Sequence, residues 1–415
     1  MKNKKVELLA PVGSFECLQA AVTAGADSFY FGVEQLNMRA RSINVFTIND
    51  IKEIVSIARR NKVKAFLTLN TVMYEHDMHL LQTVLKEAKK RKVDAVIASD
   101  FAVIRMCNEL GIPLHISTQA NVCNLESVLF FAAFSDVIVL ARELTLKQVQ
   151  QLSKEISRRG IKGVSGEPLR LEVFVHGALC MAVSGKCYLS LHQQNASANR
   201  GACLQNCRHS YKVIDTETNQ ELLVENEYIM SAKDLCTIDI LDQVVKSGVD
   251  VIKIEGRTKG PEYVYTTTRC YREALDALAD GSYSSIKVGA WKRELGKVYN
   301  RGFWDGYYLG RKLGEWTEYP GSRATEKKVY IGKGTKYYPR IGVGEFIVEA
   351  GTIKKGDTLM VTGPAFGLIK NKMEKLVVNG EEASEAFKGD RITFEITEKI
   401  TAKDKLYKII ETELV

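Results

Sequence analysis

Short apolar runs rich in β-branched residues recur along the first part of the chain. Each is followed by a few loop residues and then by apolar positions three and four apart, the spacing of an amphipathic helix. The runs fall at residues 6–10, 28–33, 65–70, 95–98, 114–117, 137–141, 171–175 and 251–255, which predicts eight strands. Helices are predicted at 14–24, 47–60, 77–91, 125–133 and 145–158. Several open on Ser, Thr, Asn or Asp, whose side-chain oxygens cap free backbone N–H groups. Eight βα units in about 280 residues match a (β/α)8, TIM-like barrel of the α/β class. A doubly wound sheet would place a Gly-rich turn after the first strand, and Ala10-Pro11-Val12-Gly13-Ser14 is not such a turn.

The regular alternation breaks twice. Between the seventh and eighth strands lies an insertion at 177–250, on the side of a barrel where strand-end loops build active sites. Within it, 228–231 and a helical run at 236–246 are expected to be ordered. Beyond the barrel, assigned to 1–281, an aromatic- and Gly-rich linker is predicted at 282–327. Short alternating runs between Gly, Asn, Lys and Asp turns then predict a small C-terminal all-β barrel domain at 328–415.

Composition adds limits. The chain has 415 residues, 45% of them apolar and 26% charged, with 7 Pro, so disordered and fibrous classes are excluded. No apolar run is long enough to span a bilayer, and the basic start leads directly into a strand, so a cytoplasmic protein without membrane association is expected. A net charge of +8 permits an anionic partner without demonstrating one.

Nine cysteines are many for a reducing compartment. Cys17, Cys107, Cys123 and Cys270 are scattered and read as inert thiols. Cys180, Cys187, Cys203, Cys207 and Cys236 all fall in the insertion. Their spacing lacks the two short knuckles of structural zinc and suits an iron–sulfur cluster better, with zinc and unligated thiols left as alternatives. Gly177, Gly185 and Gly201 fit either metal, because the backbone must turn tightly around it.

Polar residues at predicted strand ends form a second set: Glu34, Asn70, Asp100, Ser117, Gln119, Arg142, His176, Lys233, Asp234, Lys253, Glu255 and Arg257. Charge at the last position of a barrel strand faces the mouth unless it caps a helix or joins an ion pair. His176, Lys253 and Glu255 are the candidate catalytic groups, with an internal Lys253–Glu255 ion pair as the structural alternative. Arg142 and Arg257 suit an anionic substrate, since a guanidinium offers a planar fork, and Gln119 and Asn70 complete the candidate binding set. No GxSxG, HExxH or familiar Cys–His pattern marks a protease nucleophile.

The stretch Glu172-x-Phe174-x-x-Gly177-Ala178-Leu179-Cys180-x4-Gly185-x-Cys187-x-Leu189-Ser190 resembles the signature of the peptidase U32, or collagenase-like protease, family. The similarity extends to Leu9 through Gly13, to Asn199-Arg200-Gly201-x-Cys203-x3-Cys207-Arg208, to Ser231 through Leu235 and to Lys253 through Arg257. Despite its name, that family includes iron–sulfur enzymes that hydroxylate a tRNA wobble uridine or a ribosomal-RNA cytidine, and accessory proteins of ubiquinone hydroxylation. Length and the single C-terminal β module are most similar to the tRNA branch. The resemblance implies a [4Fe-4S] cluster on Cys180, Cys187, Cys203 and Cys207, with Cys236 as alternative fourth ligand. It also implies prephenate, a small dicarboxylate, as co-substrate and a tRNA anticodon loop as partner. A U32-type peptidase, or a non-catalytic iron–sulfur subunit working with a shorter paralogue, are the alternatives.

Overall fold

The computed structural model describes residues 5–39, 46–212, 214, 216–218, 228, 230–310, 314–319 and 321–412. Ten strands form the first sheet: β1 (Glu7–Pro11), β2 (Ser28–Gly32), β3 (Lys64–Leu69), β4 (Ala95–Ala98), β5 (Leu114–Ile116), β6 (Val137–Val139), β7 (Arg170–Ala178), β8 (Asp234–Cys236), β9 (Val251–Ile254) and β10 (Phe303–Trp304). Strands β1 to β7 pair in order and in parallel, and β9 joins β7 to β1, closing a ring of eight. These are the eight predicted strands, each within a few residues of its expected bounds.

Apolar side chains make the ring as their periodicity requires. Phe29, Phe31, Leu67 and Val96 pack outward with the helices, whereas Leu9, Tyr30, Phe66 and Ile97 form a smaller group. The alternation along β2 and β3 therefore separates two faces, one against the helical layer and one in the barrel interior. Truncating a fully buried Phe31 or Leu67 to Ala would cost about 3–5 kcal/mol. Ser14, Asn124 and Thr145 cap their helices as expected, and Asp100 caps the helix Phe101–Leu110, each side chain accepting a backbone N–H of the first turn.

Two expectations need correction. Cys236 lies on β8 rather than at the head of a helix; the helix is Leu241–Lys246. β8 runs antiparallel to the end of β7, pairing Cys236 with His176 and Asp234 with Ala178, and β10 adds in parallel beside it. The predicted linker contains a 13-residue helix, Ser285–Lys297, that buries Val288, Trp291 and Leu295. Three or four residues separate these side chains, a helical stripe that the surrounding Gly and aromatic residues mask. Of the segment 228–231, residue 229 lies outside the described residues.

The C-terminal domain is all-β, an eight-stranded antiparallel sheet around its own core of Ile331, Phe346, Leu359, Val361, Ile392 and Leu406. Its strand Gly367–Lys372 docks on the barrel helix Phe15–Thr23. Gly367 has φ +86°, and a Cβ there would sit 2.7 Å from the Ala20 nitrogen. Only glycine allows both that turn and that approach. An ion pair from Lys328 to Glu262, 2.8 Å, also ties the sheet to the barrel.

Candidate functional site

The loops leaving the C-terminal ends of the barrel strands enclose one cavity of about 180 Å³. Asn70 follows β3, Gln119 follows β5, Arg142 follows β6, and Glu255 and Arg257 follow β9; all five line it, with Lys253 of β9 below them. The insertion roofs it with Cys180, Cys187, Cys203 and Cys207. Spacing in sequence gave no direct proof that these two sets meet, and the fold brings ten of the twelve predicted site residues to one place.

The roof is anchored by its own polar residues. Arg200 binds the Asp77 carboxylate and the Val72 carbonyl, its guanidinium lying 4.2 Å from the Tyr74 ring centre. Asn199 accepts from the Cys187 N–H at 3.1 Å, and its carbonyl accepts from the Val72 N–H. Arg208 donates to the carbonyls of Leu179 and Ala232 and to the Ser231 hydroxyl, so one side chain joins both ends of the insertion. Gly185, at φ +71°, lies on Gln119, where a Cβ would come within 2.6 Å of the side chain.

The chemistry of the donors bears on the implied metal. Burial pushes the Cys207 thiol up, Arg208 opposes the shift, and the charges of Cys180, Cys203 and Cys187 push it further, so the four sulfurs share one electrostatic neighbourhood. A single ion needs its ligands in contact around one point, and among the described residues no group of three His, Cys, Asp or Glu does this. A four-iron cluster takes one thiolate at each iron, and the four thiols that line this cavity are donors of that chemistry.

Below the cysteines the cavity is cationic. Seven Lys and Arg side chains line it against one carboxylate, Glu255. Burial alone would push Glu255 up, but the Arg39 guanidinium 2.7 Å away, with Arg142 and Lys259, outweighs it and brings the carboxyl down to about 2. Burial pulls Lys253 down, opposed by Glu172 at 2.8 Å. The predicted Lys253–Glu255 pair is thus not formed; each takes another partner, from β7 and from the loop after β2. Arg257 donates to Asn37 and Thr68, and burial lowers it to about 10. Arg142 lies over the Phe174 ring, donates one N–H to the Ala178 carbonyl, and keeps a buried Nε without a partner. Asn70 donates to Gln119, whose Oε1 also accepts from the Ser117 hydroxyl.

Two predicted site residues lie elsewhere. His176 does not line the cavity; it is packed among Tyr263, Tyr271 and Phe303 at 5.5–5.9 Å, and burial drives its imidazole down to about 3. A neutral ring so enclosed has no route to a substrate proton. Cys236 lies opposite it on β8 and accepts a long hydrogen bond, 3.9 Å, from the Tyr271 hydroxyl, away from the other four thiols. Other strand-end residues are structural: Asp100 caps its helix, Glu34 accepts from the Ile48 N–H, Lys233 pairs with Glu315, and Asp234 pairs with Arg301. Arg39, Lys259 and Arg301 also line the cavity without standing at a strand end, and their only sequence signal is a place shortly after a strand or beside a motif.

A closed parallel barrel whose mouth is roofed by four cysteines over a cationic pocket defines the class. The sequence model of peptidase family U32 matches residues 13–318, and the chain belongs to that family. A relative from Porphyromonas gingivalis named "Collagenase" is 51% identical over 413 residues, covering all of both chains. The Bacillus subtilis "tRNA hydroxylation protein P1" is 33% identical over 72% of this chain and 70% of its own. An Escherichia coli 23S rRNA 5-hydroxycytidine synthase is 32% identical over 76% of this chain and 47% of its own. No helix among the described residues is long and apolar enough to cross a membrane.

Proposed function

We propose that this protein is an iron–sulfur-dependent hydroxylase that converts a tRNA wobble uridine to 5-hydroxyuridine, with prephenate as hydroxyl source. The observation that carries this is one cavity combining four thiols with seven cations and a single carboxylate. Cys180, Cys187, Cys203 and Cys207 would hold a [4Fe-4S] cluster, which when bound supplies one-electron chemistry that ordinary side chains lack. Arg142, with its unpartnered Nε, and Arg257 would grip the carboxylates of the co-substrate. Asn70 and Gln119 on the side wall offer amides suited to the edge of a pyrimidine. Unpaired loop bases are accessible and stack on aromatics, and Tyr188, 67% exposed beside Cys187, stands at the roof. The tRNA and rRNA hydroxylation names of two relatives support RNA as substrate.

The test is iron and acid-labile sulfide per chain after anaerobic purification, for wild type, Cys180→Ala and Cys236→Ala, followed by nucleoside mass spectrometry of tRNA incubated with protein and prephenate. About four irons, lost in Cys180→Ala and kept in Cys236→Ala, with 5-hydroxyuridine formed, is the expected result. Zinc, or metal-free protein, sinks the redox mechanism.

A peptidase acting on collagen-like substrate is the second possibility, favoured by the name of the 51%-identical relative. It needs an activated nucleophile, and among the described residues no cysteine or serine of the cavity is hydrogen-bonded to a histidine. Gelatin cleavage by purified protein, abolished by one substitution in the cavity, would establish it.

A further inference from the structure

The barrel-mouth cavity continues outward. It shares Cys203, Gln205, Arg208 and Arg301 with a second cavity of about 520 Å³. The second shares Tyr299 and Tyr319 with a third, of about 560 Å³, that reaches the C-terminal sheet at Lys327, Lys370 and Ile409. The three therefore make one track from the site to the second domain. Gly367 and the Lys328–Glu262 pair hold that domain against the barrel, so the track is preformed.

Its lining has a definite chemistry. The second cavity carries Arg208, Arg301 and His209 and no carboxylate. The third carries five Lys or Arg side chains against Glu262 and Glu326. Lys328 and Lys370 are held by those two carboxylates, each at 2.8 Å, while Arg323 and Lys327 have no carboxylate partner among the described residues. Aromatic rings alternate with the cations. Tyr299 has Lys259 at 3.0 Å and Arg301 at 5.1 Å from its ring centre, and Tyr319, 39% exposed, has Arg323 at 5.2 Å. An acidic peptide would need only the cations. Cations interleaved with rings suit a single nucleic-acid strand, which offers phosphates to the first and base faces to the second.

We infer that this track binds the single-stranded RNA flanking the nucleotide held at the barrel mouth, with phosphates on Arg323 and Lys327 and a base stacked on Tyr319. The inference rests on RNA being the substrate. It assigns the C-terminal sheet a part in positioning RNA and places the strand's exit between the two domains.

Fluorescence anisotropy of the full chain with a fluorescein-labelled single-stranded RNA, over a series of salt concentrations, tests it. Tyr319→Ala should weaken binding about tenfold, within the range for loss of one base stack, while Tyr319→Phe binds as wild type does. Arg323→Gln with Lys327→Gln should reduce the slope of log affinity against log salt by about 1.4, two phosphate contacts' worth. Lys388→Gln with Lys403→Gln, on exposed turns outside the track, serves as a matched loss of two charges. RNA binding that all track variants leave unchanged overturns the track and spares RNA as substrate. Failure of the wild type to bind RNA removes both. Binding of polyglutamate in place of RNA, weakened by loss of the cations and indifferent to Tyr319→Ala, overturns the RNA occupant in favour of an acidic peptide.

Discussion

The two ends of the barrel use the same residue types to opposite effect. At the N-terminal end, Glu7 of β1 takes Lys64 of β3 at 3.1 Å and Arg170 of β7 at 2.8 Å, so one carboxylate pins three strands together. At the C-terminal end, Arg39, Lys253 and Arg301 have carboxylate partners, but Arg142, Arg208, Arg257 and Lys259 line the cavity without an ion pair among the described residues, and Arg142 keeps a buried N–H without an acceptor. Charge that is matched within the chain holds the ring closed. Unmatched cationic charge destabilises the fold unless a ligand completes it, and is kept at the end where the loops bring chemistry. Lys253 lines the cavity yet is held by the buried Glu172, so position alone does not assign that pair.

Substitution assigns that pair, and the largest effect is expected there. Lys253→Met leaves Glu172 buried without its cation, beside a His115 ring that burial already drives down to about 3, and should cost about 3–5 kcal/mol in denaturant unfolding. Adding Glu172→Leu should restore most of the stability. If the double variant also recovers the proposed hydroxylation, the pair is structural; if it stays inactive while folded, Lys253 belongs to the mouth.

The floor gives the next largest effect, read against pH. Burial pushes Glu7 up, but Arg170, Ser28 and Lys64 outweigh it, and the carboxyl falls from 4.5 to about 2 in the fold. The folded value is the lower one, so the stabilisation is complete above about pH 4.5 and is lost as pH falls toward 2, roughly 3 kcal/mol in all. Urea midpoints should therefore drop more steeply in acid for wild type than for Glu7→Gln. An identical acid limb in the two proteins would show that the Glu7 cluster does not hold the ring. The proposed hydroxylation, per folded molecule at neutral pH, should be unchanged.

Arg142→Gln should do the reverse. Loss of one donor to the proposed dicarboxylate should lower kcat/KM for it about a hundredfold, near 2.7 kcal/mol, because the interaction is made only with ligand bound. Its melting temperature should remain close to that of wild type, since the side chain gives up one hydrogen bond and the stacking on Phe174. A large drop in stability with normal kinetics would move Arg142 to the structural set.

Much of this division is legible in the sequence. Eight β-branched runs define the ring because the interior and the helical layer both demand apolar side chains at fixed periods, and strand ends then point to the mouth. The four cysteines were legible as a group from their crowding. Partner choice was not. Lys253 on β9 and Glu255 just after it are two residues apart, yet the closed ring puts Glu172 of β7 beside the first, and the loop after β2 brings Arg39 to the second from 216 residues away. His176 and Cys236 looked functional because they neighbour the cysteine motif in sequence. In the fold β8 turns back along β7 and seals both behind Tyr271, which periodicity does not reveal.

Cys236 supplies the smallest and sharpest prediction of the set. Burial pushes its thiol up to about 11, so it is a neutral thiol at physiological pH, packed against Tyr271. A small, isolated thiol in an apolar pocket contributes mainly volume, and Cys236→Ala should cost about 1 kcal/mol and leave iron and sulfide unchanged. Tyr271 keeps its bond to the Val175 carbonyl in that variant, so the junction of β7 and β8 stays closed and the roof keeps its place. Iron lost together with that thiol would mean that β8 opens to present Cys236 to the cavity, and the boundary between the sealed β7–β8 junction and the ligand-seeking mouth would have to be redrawn.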